Sequence, residues 1–173
     1  MAFARLLDRF VRLVAALVRL VCITLATALF IIIIVAVTAR YGFDHAISWS
    51  EEVPRYILVW ISFLAGASCV LRREHVGFEV LFNALPPKPR RLLGLILNTL
   101  ILLFGWVVFR YGIEFVREFG SDLMETIPHT NYWYYTAMPV SGFLIMLFSF
   151  KHIVDDLLGG GTQAVGGTGK IVD

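Results

Sequence analysis

Charged side chains are scarce in this sequence. Asp, Glu, Lys and Arg together make up only 16% of it, whereas hydrophobic residues make up 58%. A soluble domain of similar length is nearer a quarter charged. The net charge of +2 is also too small to indicate a nucleic-acid partner. The composition therefore predicts an integral membrane protein whose main surroundings are the lipid bilayer.

Residues able to carry chemistry are few and dispersed. Cys22 and Cys69 lie in different apolar runs, so we interpret both as packing residues and neither as a metal ligand or a disulfide partner. The four histidines lie in predicted loops or at predicted helix ends, which argues against a haem-binding membrane anchor. They are His45, His75, His129 and His152. We also find no nucleophile–base set, no phosphate-binding Gly-rich loop and no zinc spacing. The sequence therefore predicts neither an enzyme nor a cofactor.

The apolar residues form four long runs, each of which predicts a membrane-spanning helix. The runs cover about 20–38, 53–71, 92–109 and 132–150. A 19-residue helix rises about 28 Å, close to the ~30 Å hydrocarbon thickness, and a chain inside the bilayer must pair its backbone groups within the helix. We therefore expect an all-α membrane domain over 20–150. We expect the first run to be retained, because it is too long for a signal peptide.

The distribution of Lys and Arg predicts the orientation of the helices. Of the 15 basic residues, 11 lie in the N-terminal leader, the connection between helices 2 and 3, or the C-terminal tail. The other four lie on the opposite side among seven acidic residues. The positive-inside rule therefore places both termini in the cytoplasm.

Segments outside the four runs also show structure. On a helical wheel, the arginines of residues 1–19 cluster on one face and apolar side chains occupy the opposite half. This pattern predicts an amphipathic helix at the cytoplasmic interface, or else an extension of helix 1 that packs on another subunit. Residues 76–85 predict a second short surface helix, and helix 3 is expected to continue to about Gly120. The cytoplasmic tail, 151–173, is expected to be disordered from residue 159.

The four runs contain no ionisable residue near the predicted membrane centre. Carriers of protons or ions usually keep one there. Asn98 is the only strongly polar side chain well inside a run, and we expect it to form a hydrogen bond between helices. The four runs therefore contain no predicted site for carrying a proton or an ion.

The start of the second helix carries the most distinctive pattern, Trp49-Ser50-Glu51-Glu52-Val53-Pro54-Arg55. Acidic residues suit the positive end of a helix, and Arg55 is spaced to pair with Glu51 or Glu52. Two interpretations remain open. The group is either a local helix start or a docking element against another subunit.

This pattern, continuing through Trp60, Phe63, Gly66 and Ala67, resembles the small membrane subunit of the tripartite ATP-independent periplasmic (TRAP) transporters. Two further stretches are similar to that family: Leu71-Arg72-Arg73-Glu74-His75 through Glu79, where Asp is commoner, and Tyr134 through Met138-Pro139-Val140 to Phe143. The resemblance covers about 20–150.

The resemblance implies a sodium-driven importer of an organic acid in three parts. A periplasmic binding protein delivers the substrate, a large multi-helix membrane subunit carries it, and the small subunit braces the large one. The implied subunit interface comprises Trp49, Glu51, Glu52, Arg55, Trp60, His75, Glu79 and Pro139. The candidate periplasmic docking face comprises Arg110, Glu114, Arg117 and Glu118. Two alternatives are a membrane anchor of a redox complex and a small multidrug exporter. The exporter would require a buried acid and nearly equal numbers of Lys and Arg on the two sides of the membrane.

Overall fold

The structure is a computed structural model that describes residues 2–72 and 86–157. Five α-helices and one 3-10 helix make up most of this part of the chain. The α-helices are α1 (Ala2–Gly42), α2 (Glu52–Arg72), α3 (Pro87–Phe119), α4 (Tyr132–Tyr135) and α5 (Ala137–Leu157). The 3-10 helix covers Ser48–Ser50, just before α2.

The four predicted spanning helices are confirmed by length and apolar composition. Within the described residues, the four membrane-length stretches are Leu6–Gly42, Ser48–Leu71, Leu92–Phe119 and Tyr132–Leu157. The predicted extension of helix 3 is also present, because α3 ends at Phe119 and the N–H of Gly120 donates to the carbonyl of Val116. The predicted surface helix at 76–85 and the tail from 159 lie outside the described residues.

Helices α3 and α5 are in backbone contact because glycines line the surface between them. A Cβ built on Gly142 would lie 2.5 Å from the backbone nitrogen of Phe109, and one on Gly112 would lie 2.9 Å from the nitrogen of Pro139. Gly105 is equally tight, with a Cβ 2.8 Å from a methyl group of Ile145. Close approach of small residues is the usual means of packing helices in a bilayer, where lipid removes the hydrophobic driving force.

The core lies where α1, α2 and α5 meet. Phe148 and Ala67 are fully buried, and Val11 and Val18 of α1 are packed into the same cluster. Leu7 and Val14 complete the α1 contribution, so residues 7, 11, 14 and 18 form one continuous stripe of the helix. The predicted amphipathic segment is thus packed on the chain's own bundle along one side.

Helix α1 is longer than the bundle that it crosses. The end of the bundle near Asp8 and Lys151 is here called the inner end. There, Asp8 lies 3.3 Å from Lys151 of α5. The next residue, His152, has its Nε2 3.1 Å from the carbonyl of Leu71. At the opposite end, here called the outer end, Arg40 lies 3.1 Å from Glu51. The 32 positions from Asp8 to Arg40 rise about 48 Å, against about 30 Å for the 20 positions between Leu71 and Glu51. Helix α1 is therefore inclined to α2 or curved along its length.

Polar side chains connect the helices at the inner end. Asn98 of α3 donates from Nδ2 to Asp156 of α5 at 2.9 Å, so the predicted hydrogen bond between helices is present. His152 lies between α5 and the last carbonyls of α2, at 3.1 Å from both Val70 and Leu71. Both His152 and Asp156 are buried. These contacts fix the register of α2, α3 and α5 at one end of the bundle.

Candidate subunit-interaction site

Glu52 lies at the centre of the outer end of the bundle. It begins α2, and its side chain is buried, with 4% of the residue exposed. Its carboxylate accepts hydrogen bonds from the backbone N–H groups of Glu125 and Thr126, at 2.9 and 2.8 Å. The hydroxyls of Thr126 and Tyr56 also donate to it. A buried carboxylate is tolerated when its oxygens are satisfied in this way.

The loop between α3 and α4 is thereby fixed to the start of α2. The loop folds back on itself, because the N–H of Asn131 donates to the carbonyl of Asp122 at 2.9 Å and that of Met124 to the carbonyl of His129 at 2.9 Å. Glu52 holds the tip of this turn from the bundle side. The connection after α3 is therefore an ordered element with its own hydrogen bonds.

Aromatic rings fill the space below this loop. Tyr56 of α2 packs on Tyr134, and Tyr135 meets Phe115 of α3 edge-on, with ring centroids 4.8 Å apart in both pairs. The indole N–H of Trp60 donates to the carbonyl of Trp133 at 2.8 Å. These contacts join α2, α3 and α4 at one level, where aromatic residues favour the membrane–water interface.

The three charged residues of the motif have separate roles. The sequence spacing allowed Arg55 to pair with Glu51 or Glu52, but neither pair forms in the described part of the chain. Glu51 pairs with Arg40, eleven positions earlier. The carboxylate of Glu52 accepts hydrogen bonds from the loop between α3 and α4. Arg55 is exposed and makes no ion pair with a described residue. Helical spacing permitted a local pair, but both carboxylates contact groups that are distant in sequence instead.

Arg55 begins an outward-facing strip of α2 that runs down into the span. The strip continues through Leu58, Ser62, Gly66 and Cys69, which are all exposed and follow helical spacing. Gly66 is unusual, because a Cβ built on it would meet nothing within 4 Å. The glycines between α3 and α5 have an internal packing reason, whereas Gly66 has none among the described residues.

The other predicted interface residues are dispersed. Trp49 lies in the 3-10 helix with 39% of its surface exposed. Pro139 contacts Gly112 of α3, and so takes part in packing within the chain. His75 and Glu79 lie outside the described residues. The structure therefore brings together Glu52, Trp60 and their partners, separately from Pro139.

The four residues of the candidate periplasmic docking face all lie exposed on the outer part of α3. They are Arg110, Glu114, Arg117 and Glu118. Arg110 and Glu114 form an ion pair at 2.5 Å with about half of each side chain exposed. An exposed pair of this kind contributes little stability, so the face remains available to a partner.

Thr126, Glu125 and Tyr56 were not predicted as part of this site. Nothing in the spacing of the sequence relates Glu52 to a loop more than seventy positions later. One signal was present. Glu52 shares a helix face with Tyr56, Trp60 and Leu64, at intervals of four, and this marks it as an inward-facing acid that requires partners.

The chain is similar to known proteins over most of its length. The family described as "Tripartite ATP-independent periplasmic transporters, DctQ component" matches residues 29–159. The putative TRAP transporter small permease protein of Haemophilus influenzae is 32% identical over 89 residues, 51% of this chain and 55% of that protein. The small permease protein SiaQ of Vibrio cholerae is 21% identical over 134 residues, 78% of each chain.

A third relative is much longer. The sialic acid TRAP transporter permease protein SiaT of Haemophilus influenzae is 28% identical over 129 residues, which are 73% of this chain but 20% of that protein. The chain thus spans about half the length of the first relative and about a fifth of this one. The family match covers well over half of the chain, and this chain therefore belongs to the small-subunit (DctQ component) family of the TRAP transporters, a transporter component and not an enzyme.

Proposed function

We propose that this chain is the stationary small subunit of a sodium-driven TRAP transporter that imports an organic acid. In this role it packs against the large membrane subunit and holds it at a fixed depth. A periplasmic binding protein supplies the substrate. The observation that carries the proposal is the outward strip of α2, where Arg55 and Gly66 are exposed and neither has a packing or ion-pair partner in the part of the chain that the structure describes.

The strip suits another transmembrane helix. A glycine inside a helix costs about 1 kcal/mol relative to alanine, and it is retained where a second backbone approaches closely. The middle of this strip has only small side chains, which would let another helix approach the backbone of α2 closely. They are those of Ser62, Gly66 and Cys69. Arg55 stands at the outer end of the same strip, where a carboxylate of the large subunit would pair with it. Lipid chains require neither feature.

The longer relatives support a large membrane partner. In the permease SiaT, the region that matches this chain is one fifth of a single polypeptide. A similar proportion, 15%, holds for the isethionate TRAP transporter permease protein DctMQ of Oleidesulfovibrio alaskensis. We propose that the remainder of such proteins corresponds to the separate large subunit that this chain binds.

The internal contacts suit a part that does not move. Backbone contact at Gly105, Gly112 and Gly142 locks α3 to α5, while Glu52 fixes the outer loop to α2. A carrier that changes shape needs an element against which to move, and a bundle tied at both ends provides one. We propose the outer part of α3, from Arg110 to Glu118, as the surface that meets the binding protein.

The organic-acid substrate rests on the relatives' names. The names include the words sialic acid, isethionate and C4-dicarboxylate, and all three compounds are anionic at neutral pH. The substrate itself would be selected by the other two components. We therefore propose the class of substrate and not a particular acid.

The test is reconstitution of uptake. The large subunit and the binding protein of the proposed transporter are expressed with and without this chain, and accumulation of a labelled organic acid is measured with and without a sodium gradient. We expect uptake only when this chain and the gradient are both present. Equal uptake without the chain would contradict the bracing role, and uptake indifferent to sodium would contradict the proposed coupling.

A further inference from the structure

Residues 6–20 of α1, here called the N-terminal segment, present three distinct faces. The first is packed on the bundle. Leu7, Val11, Val14 and Val18 lie in or against the buried cluster that contains Phe148. Val11 is 1% exposed. This face belongs to the fold of the chain and is not available to a partner.

The second face is apolar and uncovered. Its five large side chains lie at intervals of four and three and are each more than half exposed. They are Leu6, Phe10, Leu13, Leu17 and Leu20. A patch of this size on one side of a helix marks a surface that something apolar covers.

The third face is cationic. Arg9, Arg12 and Arg19 are exposed and lie on one side of the helix, about 60° to 140° from the centre of the apolar face. The Asp8 carboxylate pairs with Arg12 at 2.7 Å and with Lys151 at 3.3 Å. Neither Arg9 nor Arg19 has an ion-pair partner among the described residues. The segment therefore presents uncompensated positive charge beside an apolar stripe.

From these three faces we infer that the N-terminal segment binds the surface of an anionic membrane while docked on the bundle. The apolar face enters the acyl boundary, and the arginines reach the negatively charged headgroups. A path through the hydrocarbon core is excluded for this part of α1, because it would bury three guanidinium groups. The length of α1, which exceeds the bundle, agrees with a segment inclined toward the membrane plane.

Lys151 fixes the segment at this position. Its ammonium group contacts both Asp8 and Asp155, at 3.3 and 2.6 Å, and only 15% of its side chain is exposed. The interfacial segment is thus tied to the inner end of α5 by charge as well as by the valine stripe. Binding of the segment to the membrane surface would set the depth of the whole bundle.

The first measurement locates the two outer faces in vesicles. The full chain, with Cys22→Ala and Cys69→Ala, receives Phe10→Cys on the apolar face or Ala16→Cys among the arginines, and each cysteine carries an environment-sensitive fluorophore. We expect lipids brominated in their acyl chains to quench the label at position 10 and aqueous iodide to quench the label at position 16. Equal quenching of both labels by iodide would overturn the inference.

The second measurement tests the preference for anionic lipid. Quenching of the position 10 label is compared between brominated phosphatidylglycerol and brominated phosphatidylcholine. Each exposed arginine is expected to favour the anionic lipid about fivefold. Arg9→Gln with Arg19→Gln should abolish most of that preference, whereas Arg110→Gln with Arg117→Gln, which removes the same charge at the outer end, should preserve it.

Two results would contradict the assignment. An unchanged lipid preference in the Arg9/Arg19 variant would show that the arginines do not bind headgroups. Shielding of position 10 only after the large subunit is added would show that a protein, not the membrane, covers the apolar face. Because neither measurement depends on transport, their failure is distinguishable from failure of the proposed function.

Discussion

The carboxylate of Glu52 and the backbone N–H of Thr126 are joined by a 2.8 Å hydrogen bond across 74 positions of sequence. Glu52 opens α2, and Thr126 lies in the loop between α3 and α4. The neighbouring N–H of Glu125 donates to the same carboxylate. One acidic side chain therefore ties the outer loop of the subunit to its second helix.

Replacing Glu52 should loosen this loop. Glu52→Ala leaves two backbone N–H groups and two hydroxyls without their acceptor. Hydrogen bonds to charged groups contribute about 1.5–3 kcal/mol each, so we expect a loss of at least that size in the free energy of unfolding. Thermal denaturation of the purified chain in detergent measures it.

Glu51→Ala is the matched control. Glu51 is adjacent in sequence but exposed, and its pair with Arg40 should contribute no more than about 1 kcal/mol. Equal destabilisation by the two substitutions would show that Glu52 does not hold the loop.

Several elements of the fold could be predicted from the sequence. The four apolar runs, each about as long as the bilayer is thick, predicted α1, α2, α3 and α5. The charged face after residue 109 predicted the extension of α3 to Gly120. The partners of the charged residues could not be predicted. Helical spacing allowed a local pair for Arg55, yet Glu51 contacts Arg40 and Glu52 contacts the loop, because helical spacing contains no information on tertiary neighbours.

The glycines show the same limit. Gly66 and Gly142 are indistinguishable by sequence, since each lies in an apolar run. Only the structure shows that Gly142 is packed against Phe109, whereas Gly66 faces open space. Pro139 was expected at a subunit interface, and only the structure shows that it contacts Gly112 within the chain.

Gly142→Ala should separate α3 from α5. The added Cβ would lie 2.5 Å from the backbone nitrogen of Phe109, and backbone atoms cannot rotate away. Forced overpacking costs about 1–3 kcal/mol. Gly66→Ala, which adds the same methyl group into open space, should leave the isolated chain unchanged or slightly more stable. If the two variants had the same denaturation midpoint, this packing of α3 against α5 would be contradicted.

Asn98→Leu should weaken the inner end without affecting transport. The substitution removes the hydrogen bond to Asp156, and such bonds between membrane helices contribute about 0.6 kcal/mol. Uptake by the assembled complex should stay close to wild type, because the bond is structural. Loss of uptake despite normal assembly would show that Asn98 lies on a substrate or ion path.

The orientation can be tested by cysteine labelling in intact cells that lack Cys22 and Cys69. The excess of basic residues at the other end predicts that His45→Cys, in the exposed connection between α1 and α2, reacts with an impermeant maleimide from the periplasm. Lys88→Cys should react only after the cells are opened. The reverse pattern would overturn the assignment of both termini to the cytoplasm.

Docking through the outward strip of α2 is the central claim, and copurification with the large subunit tests it most directly. Arg55→Ala and Gly66→Leu are each co-expressed with the large subunit, with Ala26→Leu on the exposed side of α1 as the control for an added side chain. Removing one partner of a desolvated ion pair costs about 3–5 kcal/mol. The affinity of Arg55→Ala for the large subunit should therefore fall by a factor between about a hundred and a few thousand, and most of the copurified large subunit should be lost. Gly66→Leu should also reduce recovery while each variant folds normally alone, and Ala26→Leu should not. Wild-type recovery and uptake with both strip variants would contradict the account.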